Sequence, residues 1–455
     1  FKSVKGFFLN LCYKYYLMKH IISKKSFRLV GCTKVPGDKS ISHRALIITS
    51  MCIGQSKIRG LLESEDVIAT MNALKKLGVK IHRSNEYWLV NGVGLFGFKE
   101  PIDYLDLGNS GTGARLILGA IMGSNILANL KGDVSLSKRP MDRILTPLKM
   151  MGAKLISSNN EKLPITIKGP KEVFPINYSS KISSAQIKSS ILLSGLAASG
   201  ITVFKEPNES RNHTEKMLSY LGANIKSKTL KNDEYTVELK GNSVLRSGNI
   251  SIPCDPSSAA FLIVAAIICP ESKIELHNIM INKGRDGLFK TLKEMGAKIN
   301  IYNKENIGGE EIASIIAEHS QLKGVFVPSK RAPSMIDEYP ILSIAASCAD
   351  GVTIMDGIAE LRVKESDRIK IISNGLVKAG VKTIEKPESL TIYGNDVTGG
   401  CTIDSELDHR IAMSFLILGL ISKKPIKVLR PFTIESSFPN FYKIMIELGA
   451  NFIKE

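Results

Sequence analysis

Six times along the chain the same alternation of apolar and polar positions returns. In each copy an amphipathic stretch ends at a glycine and runs at once into strand-like residues: 74–81, 148–155, 217–225, 292–299, 376–383 and 444–452. The glycines are Gly78, Gly152, Gly222, Gly296, Gly380 and Gly449, spaced by 69 to 84 residues. Each suits the left-handed position that ends a helix, where a side chain is penalised. About forty residues before each glycine lies a second phrase, a small or polar opening followed by a stretch too apolar to have a wet face: 38–51, 108–122, 183–196, 256–268, 336–348 and 407–420. A helix apolar all round is buried. Alternating segments such as 87–90 and 163–168 read as strands. The unit is a buried helix, strands, an outer helix and more strands. Six units of this length predict an α/β protein of two halves, three units each. The polar N-termini of the buried helices are expected where the halves face each other, making an anion site from their unpaired N–H groups.

The openings differ from copy to copy, which a purely structural repeat does not require. The first supplies Lys39, Ser40 and Arg44; the second Asn109, Ser110, Gly111 and Thr112, followed by Arg139. The third supplies Ser183, Ser184 and Gln186, with Arg211 later; the fifth Asp337 and Glu338, then the charged run 362–368; the sixth Asp408, His409 and Arg410. Guanidinium forks, ammonium groups and hydroxyls suit small substrates bearing phosphate and carboxylate groups. Capping alone accounts for Ser40, Ser110, Ser184 and Ser257 about as well.

With 455 residues and 44% hydrophobic content the chain is long enough for two or more domains and too balanced for disorder. The net charge of +18 invites a nucleic-acid reading. Yet only 15 of the 61 cationic residues are arginine, the lysines are scattered, and aromatics are 6%. That argues for a solvated lysine surface and no nucleic-acid partner. The longest apolar run, 259–269, is too short to span a bilayer, so no membrane partner is expected. Seven cysteines, none in a CxxC pair, read as buried free thiols of a reducing, cytoplasmic setting. Residues 1–22 read as a disordered leader, with Met18 as a candidate start, because no acidic residue precedes Asp38 and no targeting pattern fits. A G-x-G-x-x-G match at 92–97 is followed by Pro101 where a helix is needed, so dinucleotide binding is rejected. No Walker A sequence, no H-E-x-x-H and no Cys/His cluster at metal spacing is present, so neither metal nor cofactor is expected.

Seven phrases in order, at 35–44, 108–115, 136–140, 184–189, 331–340, 361–368 and 407–413, resemble the 3-phosphoshikimate 1-carboxyvinyltransferase (EPSP synthase) family of enolpyruvyl transferases. The run Ser210 to Glu215 resembles the bacterial glyphosate-tolerant-type class. The resemblance implies two domains of three βαβαββ repeats with the active site in the interdomain cleft. It puts 23–36 plus 252–455 in one half and 37–251 in the other, with hinges near Val35-Pro36-Gly37 and Ile252-Pro253 that close on binding. It implies transfer of the enolpyruvyl group of phosphoenolpyruvate to the 5-hydroxyl of shikimate 3-phosphate by a monomer. In that pattern Lys39, Asn109, Gly111, Arg139, Gln186, Arg368 and Arg410 hold phosphoenolpyruvate. Lys39, Ser40, Arg44, Ser184, Ala185, Gln186, Arg211, Asp337 and Lys364 hold shikimate 3-phosphate. Asp337 is the base, and Glu365, assisted by Lys39, the proton donor, with a carboxyl expected to titrate high in the closed complex.

Two positions depart from the pattern: Ser436 stands where many members carry Lys, and Glu360 where many carry Asn. Gly111 leaves room that Ala would fill, which predicts sensitivity to glyphosate. The nearest rival is the sister transferase acting on UDP-N-acetylglucosamine, which places a Cys five residues before Arg139-Pro140; here that residue is Val134. A catalytically dead homologue would show eroded site residues, and few are seen.

Overall fold

A computed structural model describes residues 20–230, 234–394 and 396–454. They form two compact units: unit 1 comprises the chain up to Pro36, Cys254–Lys304 and Ala313–Glu455, and unit 2 comprises Gly37–Pro253 and Glu305–Ile312.

The six apolar phrases are six helices: α1 (Lys39–Ser50), α2 (Gly111–Ala120), α3 (Ala185–Gly195), α4 (Pro256–Ile268), α5 (Tyr339–Ser347) and α6 (His409–Gly419). Their burial is nearly complete; in α4 every residue from Pro256 to Ile268 is buried. Burying apolar side chains at roughly 25 cal/mol per Å² is what holds each unit together. Within unit 2 the packing is close enough to exclude side chains. A Cβ on Gly119 of α2 would lie 2.3 Å from the Ser190 carbonyl of α3.

Five of the six buried helices start at a side-chain cap, though not always at the residue the sequence suggested. Ser110 and Ser184 do cap α2 and α3, accepting from the amides of Gly113 and Ile187. For α1 and α4 the caps are instead Asp38 and Asp255, two residues before Ser40 and Ser257, and for α6 it is Asp408. The six outer helices end as the pattern requires: Gly78, Gly152, Gly222, Gly296, Gly380 and Gly449 all have φ between 92° and 110°.

Six four-stranded mixed sheets form, and four of them run first–second–fourth–third in chain order; in the other two, a strand from far along the chain takes the place of the first or the fourth. Within each the outer first strand pairs parallel, as Leu105–Asp106 does with Leu127–Lys131, and the remaining pairs seen in the middle repeats are antiparallel. Three sheets borrow a strand from far along the chain. Asn249–Ser251 completes the sheet of Ile53–Arg59, Val30–Thr33 completes that of Lys273–Met280, and His20–Lys24 lies between Ile426–Leu429 and Asn451–Lys454.

That last strand corrects the leader expectation. His20, Ile21 and Ile22 belong to the folded sheet, with Ile21 fully buried opposite Val428 and Lys454. The partners lie some four hundred residues away, so no local pattern announces them. The rest of the expected leader, including Met18, lies outside the described residues. The unit boundaries also differ from the expected 252–455 segment. Ile252 donates to the Arg59 carbonyl (2.9 Å) and the Pro253 carbonyl accepts from Asp38 (2.8 Å), which keeps both residues with unit 2. Residues Glu305–Ile312 also belong to unit 2, where Glu310 meets His213 (2.7 Å) and Lys216 (3.0 Å). The six cysteines among the described residues are free; of these, Cys52 and Cys269 are buried, Cys254, Cys348 and Cys401 are half-buried, and Cys32 is exposed. Cys32 lies on a strand whose alternate residues face solvent, a burial that its apolar neighbours in sequence do not reveal.

Candidate active site

In unit 2 the first turns of α1, α2 and α3 carry the groups expected to bind anions. Lys39, at the start of α1, pairs with Asp66 at 2.9 Å, both side chains largely enclosed. Ser40 is half-buried, and its carbonyl accepts from Arg44 (3.0 Å). Arg44 itself is 2% exposed and reaches Thr214 and Ser189 at 2.8 Å each, so it braces α1 against α3 and the outer helix His213–Tyr220.

One turn of α2 gathers the next group. Arg139 donates to the Asn109 side chain and to Ser135 (3.1 Å), while Asn109 donates to Asp133 (2.7 Å). Arg115 bonds Gln186 (3.0 Å), whose amide in turn donates to Thr112 (3.0 Å). Gly111 sits among them: a Cβ there would lie 2.8 Å from the Arg115 guanidinium and 3.2 Å from that of Arg139. Ser184 caps α3, and its amide donates to Glu206 (3.0 Å), while Ala185 opens the helix. Arg211 is half-buried just ahead of helix His213–Tyr220.

Two buried features stiffen this floor. Lys188 is completely enclosed, paired with Glu206 (2.9 Å) and Glu215 (2.8 Å) and 4.7 Å from the Tyr235 ring. Burial disfavours its charge, but the two carboxylates outweigh that and hold it above its ordinary range. His43 bonds Thr70 (2.9 Å) and is driven down to about 3, first by burial and then by the charges of Lys39 and Arg44. It is a neutral structural link, not an acid–base group.

Unit 1 carries the carboxylates. Asp337 lies 3.5 Å from Lys364 and 3.6 Å from Arg368. Glu365 lies 2.6 Å from Arg368, which also binds Asp408 at 2.8 Å. Arg368 is 1% exposed; burial opposes its charge, yet Asp408, Glu365 and Asp337 together hold it above its usual range. Arg410 donates to the Asp337 carbonyl (3.0 Å) and lies 3.7 Å from Glu338. Behind it Glu338 accepts from Ser257, which also bonds Arg285 (2.6 Å), and Arg285 pairs with Asp255 (3.1 Å). Thus Asp337, Lys364, Glu365, Arg368 and Arg410 form one cluster, arranged so that Asp337 and Glu365 share the Arg368 guanidinium with Asp408.

The structure adds Asp66, Arg115 and Arg285 to the candidate residues. Arg115 lay within a recognised phrase, and its position one turn into α2 was the available signal; Asp66 and Arg285 carried none. At the two departures, Ser436 donates to the Thr433 carbonyl (2.7 Å) beside His409 (3.5 Å), and Glu360 is exposed in the turn Ala359–Val363. No helix among the described residues is long and apolar enough to cross a membrane.

The family model described as EPSP synthase (3-phosphoshikimate 1-carboxyvinyltransferase) matches residues 23–445. Proteins of that name from Chelativorans sp. (strain BNC1) and Paracoccus denitrificans (strain Pd 1222) are each 47% identical, over 94% of this chain and 96% and 97% of theirs. The solved EPSP synthase of Acinetobacter baumannii superposes with a TM-score of 0.85 at 39% identity, covering 96% of this chain and 100% of that one. The enolpyruvyl transferase NikO of Streptomyces tendae shares the fold alone, with a TM-score of 0.76 at 15% identity. The chain belongs to the EPSP synthase (3-phosphoshikimate 1-carboxyvinyltransferase) family.

Proposed function

We infer that this chain transfers the enolpyruvyl group of phosphoenolpyruvate to the 5-hydroxyl of shikimate 3-phosphate and releases phosphate. The observation that carries the reading is the sharing of Arg368 by Glu365 and Asp337, with Lys364 and Arg410 against the same aspartate. The chemistry needs an acid for the methylene carbon of the enol phosphate and a base for the attacking hydroxyl, each beside cations that hold the substrates' anionic groups.

Asp337 takes the hydroxyl proton as the oxygen attacks the central carbon of phosphoenolpyruvate, while Glu365, assisted by Lys39, protonates the methylene carbon. The resulting tetrahedral adduct then loses phosphate as a proton leaves the new methyl group to Glu365, restoring the double bond. Arg368, Arg410, Lys39, Asn109, Gly111, Arg139 and Gln186 take phosphoenolpyruvate. Its carboxylate and phosphate match guanidinium forks bidentately. Lys39, Ser40, Arg44, Ser184, Ala185, Gln186 and Arg211, with Asp337 and Lys364, take shikimate 3-phosphate. Arg44, braced by Ser189 and Thr214, fixes the first turn of α1 that presents Ser40.

The enzyme works as a monomer without a cofactor in a reducing, cytoplasmic setting; its free thiols and the presence of both residue sets in one chain support this. Phosphate release from phosphoenolpyruvate, measured with and without shikimate 3-phosphate in wild type and Asp337→Asn, tests the reading. Release that needs both substrates and vanishes in the variant is expected. Release without shikimate 3-phosphate, or an unaffected variant, would overturn it.

A further inference from the structure

The sheet that includes Val30–Thr33 carries a cluster the reaction does not use. Its strands run in the order Lys298–Ile307, Glu310–Glu318, Lys273–Met280, Val30–Thr33, and the last two are parallel with Glu275 opposite Cys32. Alternation along Lys273–Met280 turns Ile274 and Leu276 into the core and leaves Glu275 and His277 half-buried on the other face.

On that face three unlike donor atoms meet. Cys32 Sγ is 2.9 Å from His277 Nε2, Glu275 Oε1 is 3.6 Å from the same nitrogen, and the three ligand atoms lie within 4.8 Å of one another. His277 and Glu275 each have a further polar partner. His277 Nδ1 is 3.0 Å from Ser314 Oγ, and the Tyr302 hydroxyl donates to Glu275.

The arrangement separates metal binding from nucleophilic catalysis. A Cys–His–carboxylate relay sets the acid on the ring nitrogen remote from the thiol, so that it orients the imidazole. Here thiol and carboxylate converge on one nitrogen, and a hydroxyl holds the other, the outer-shell contact that fixes a metal-binding tautomer. A thiol, an imidazole and a carboxylate together suit a borderline-soft divalent ion above a hard one. A tetrahedral zinc site sets sulfur and nitrogen ligands ~3.5 Å apart and nitrogen and oxygen ligands ~3.3 Å apart. The side chains reach that geometry by opening the Cys32–His277 contact about half an ångström, a small rotation at an exposed cysteine.

We propose that Cys32, Glu275 and His277 form a three-ligand site for zinc or a similar divalent transition ion, with a fourth position for water. None of the three belongs to the residues assigned to the transfer reaction. The strand Val30–Thr33 is the last of unit 1 before the chain passes to unit 2 at Gly37, so a bound ion ties that strand to its neighbour through side chains as well as backbone.

Cobalt(II) titration of the reduced, untagged full chain, followed by zinc competition, tests this. One equivalent of cobalt is expected to give a thiolate-to-cobalt charge-transfer band that zinc discharges. Cys32→Ser abolishes the band and Cys254→Ser retains it; His277→Gln and Tyr302→Phe weaken zinc binding by about tenfold or more. In the unaltered protein, zinc slows alkylation of Cys32 without slowing that of Cys401. A wild type without the band, a band that survives in Cys32→Ser, or Cys32 alkylation indifferent to zinc would overturn the proposal.

Discussion

Glu365 lies 2.6 Å from Nη2 of the Arg368 guanidinium, whose Nε donates to Asp408 at 2.8 Å. An ion pair favours the carboxylate form of its acid. In the proposed reaction, proton donation by Glu365 therefore depends on Arg368 being drawn toward a substrate anion, which would couple acid catalysis to phosphoenolpyruvate binding. Glu365→Gln keeps the shape and a hydrogen bond but has no proton to exchange. The expected kcat falls by roughly 10²–10⁴, with a pH–rate profile that flattens relative to wild type. An unchanged rate would remove Glu365 from the chemistry.

Asp337 faces Lys364 and Arg368, and its carbonyl holds Arg410. Asp337→Asn retains the backbone contact and loses the base, so turnover is expected to drop by about 10² or more while phosphoenolpyruvate binding persists. Steady-state kinetics with equilibrium binding separates the two. A loss carried wholly by KM would contradict the assignment.

Gly111 has two guanidiniums as its nearest side-chain neighbours, and a methyl group on its Cα would come within 2.8 and 3.2 Å of them. Wild type is expected to be inhibited by glyphosate, a phosphoenolpyruvate mimic. Gly111→Ala must displace Arg115 or Arg139, so it raises both the inhibitor concentration for half inhibition and the KM for phosphoenolpyruvate. Undiminished wild-type activity at inhibitor concentrations well above substrate would refute this.

His43 is buried with its acidity constant at about 3, against 6.5 when free. Below 6.5 the unfolded chain binds a proton there that the folded chain refuses until about 3, so the stability supplied by this site falls as pH drops through that window. The loss is about 1.4 kcal/mol per pH unit. Urea unfolding at several pH values should show a correspondingly shallower dependence in His43→Gln. Parallel curves for the two proteins would rule the effect out.

Lys188 sits between Glu206 and Glu215 with no exposed surface. Lys188→Met leaves two buried carboxylates without their cation, and about 3–5 kcal/mol of stability is expected to be lost. Replacing all three by apolar residues should recover much of it. Equal stability of the single variant and wild type would show the pairs contribute nothing.

The sequence by itself determined the architecture of the repeats, because the evidence is local. Periodicity marks a buried helix, and a glycine at a helix end is demanded by φ, as Gly78 and its five counterparts show. The proposed anion-binding residues were picked out for the same reason: a helix start is a fixed place in a repeat, so Lys39, Asn109 and Arg410 stood out where the copies differ. What the sequence left open depends on residues that folding alone makes neighbours. His20–Lys24 pairs with strands about four hundred residues away, Asp38 rather than Ser40 caps α1, and Arg285 reaches Glu338 through Ser257. Cys32 and His277 stand 245 positions apart, and their 2.9 Å contact exists only because two parallel strands set them on one face. Period and propensity act within a few residues; ion pairs, shared guanidiniums and donor clusters are made by distance in space, and that the tertiary structure decides.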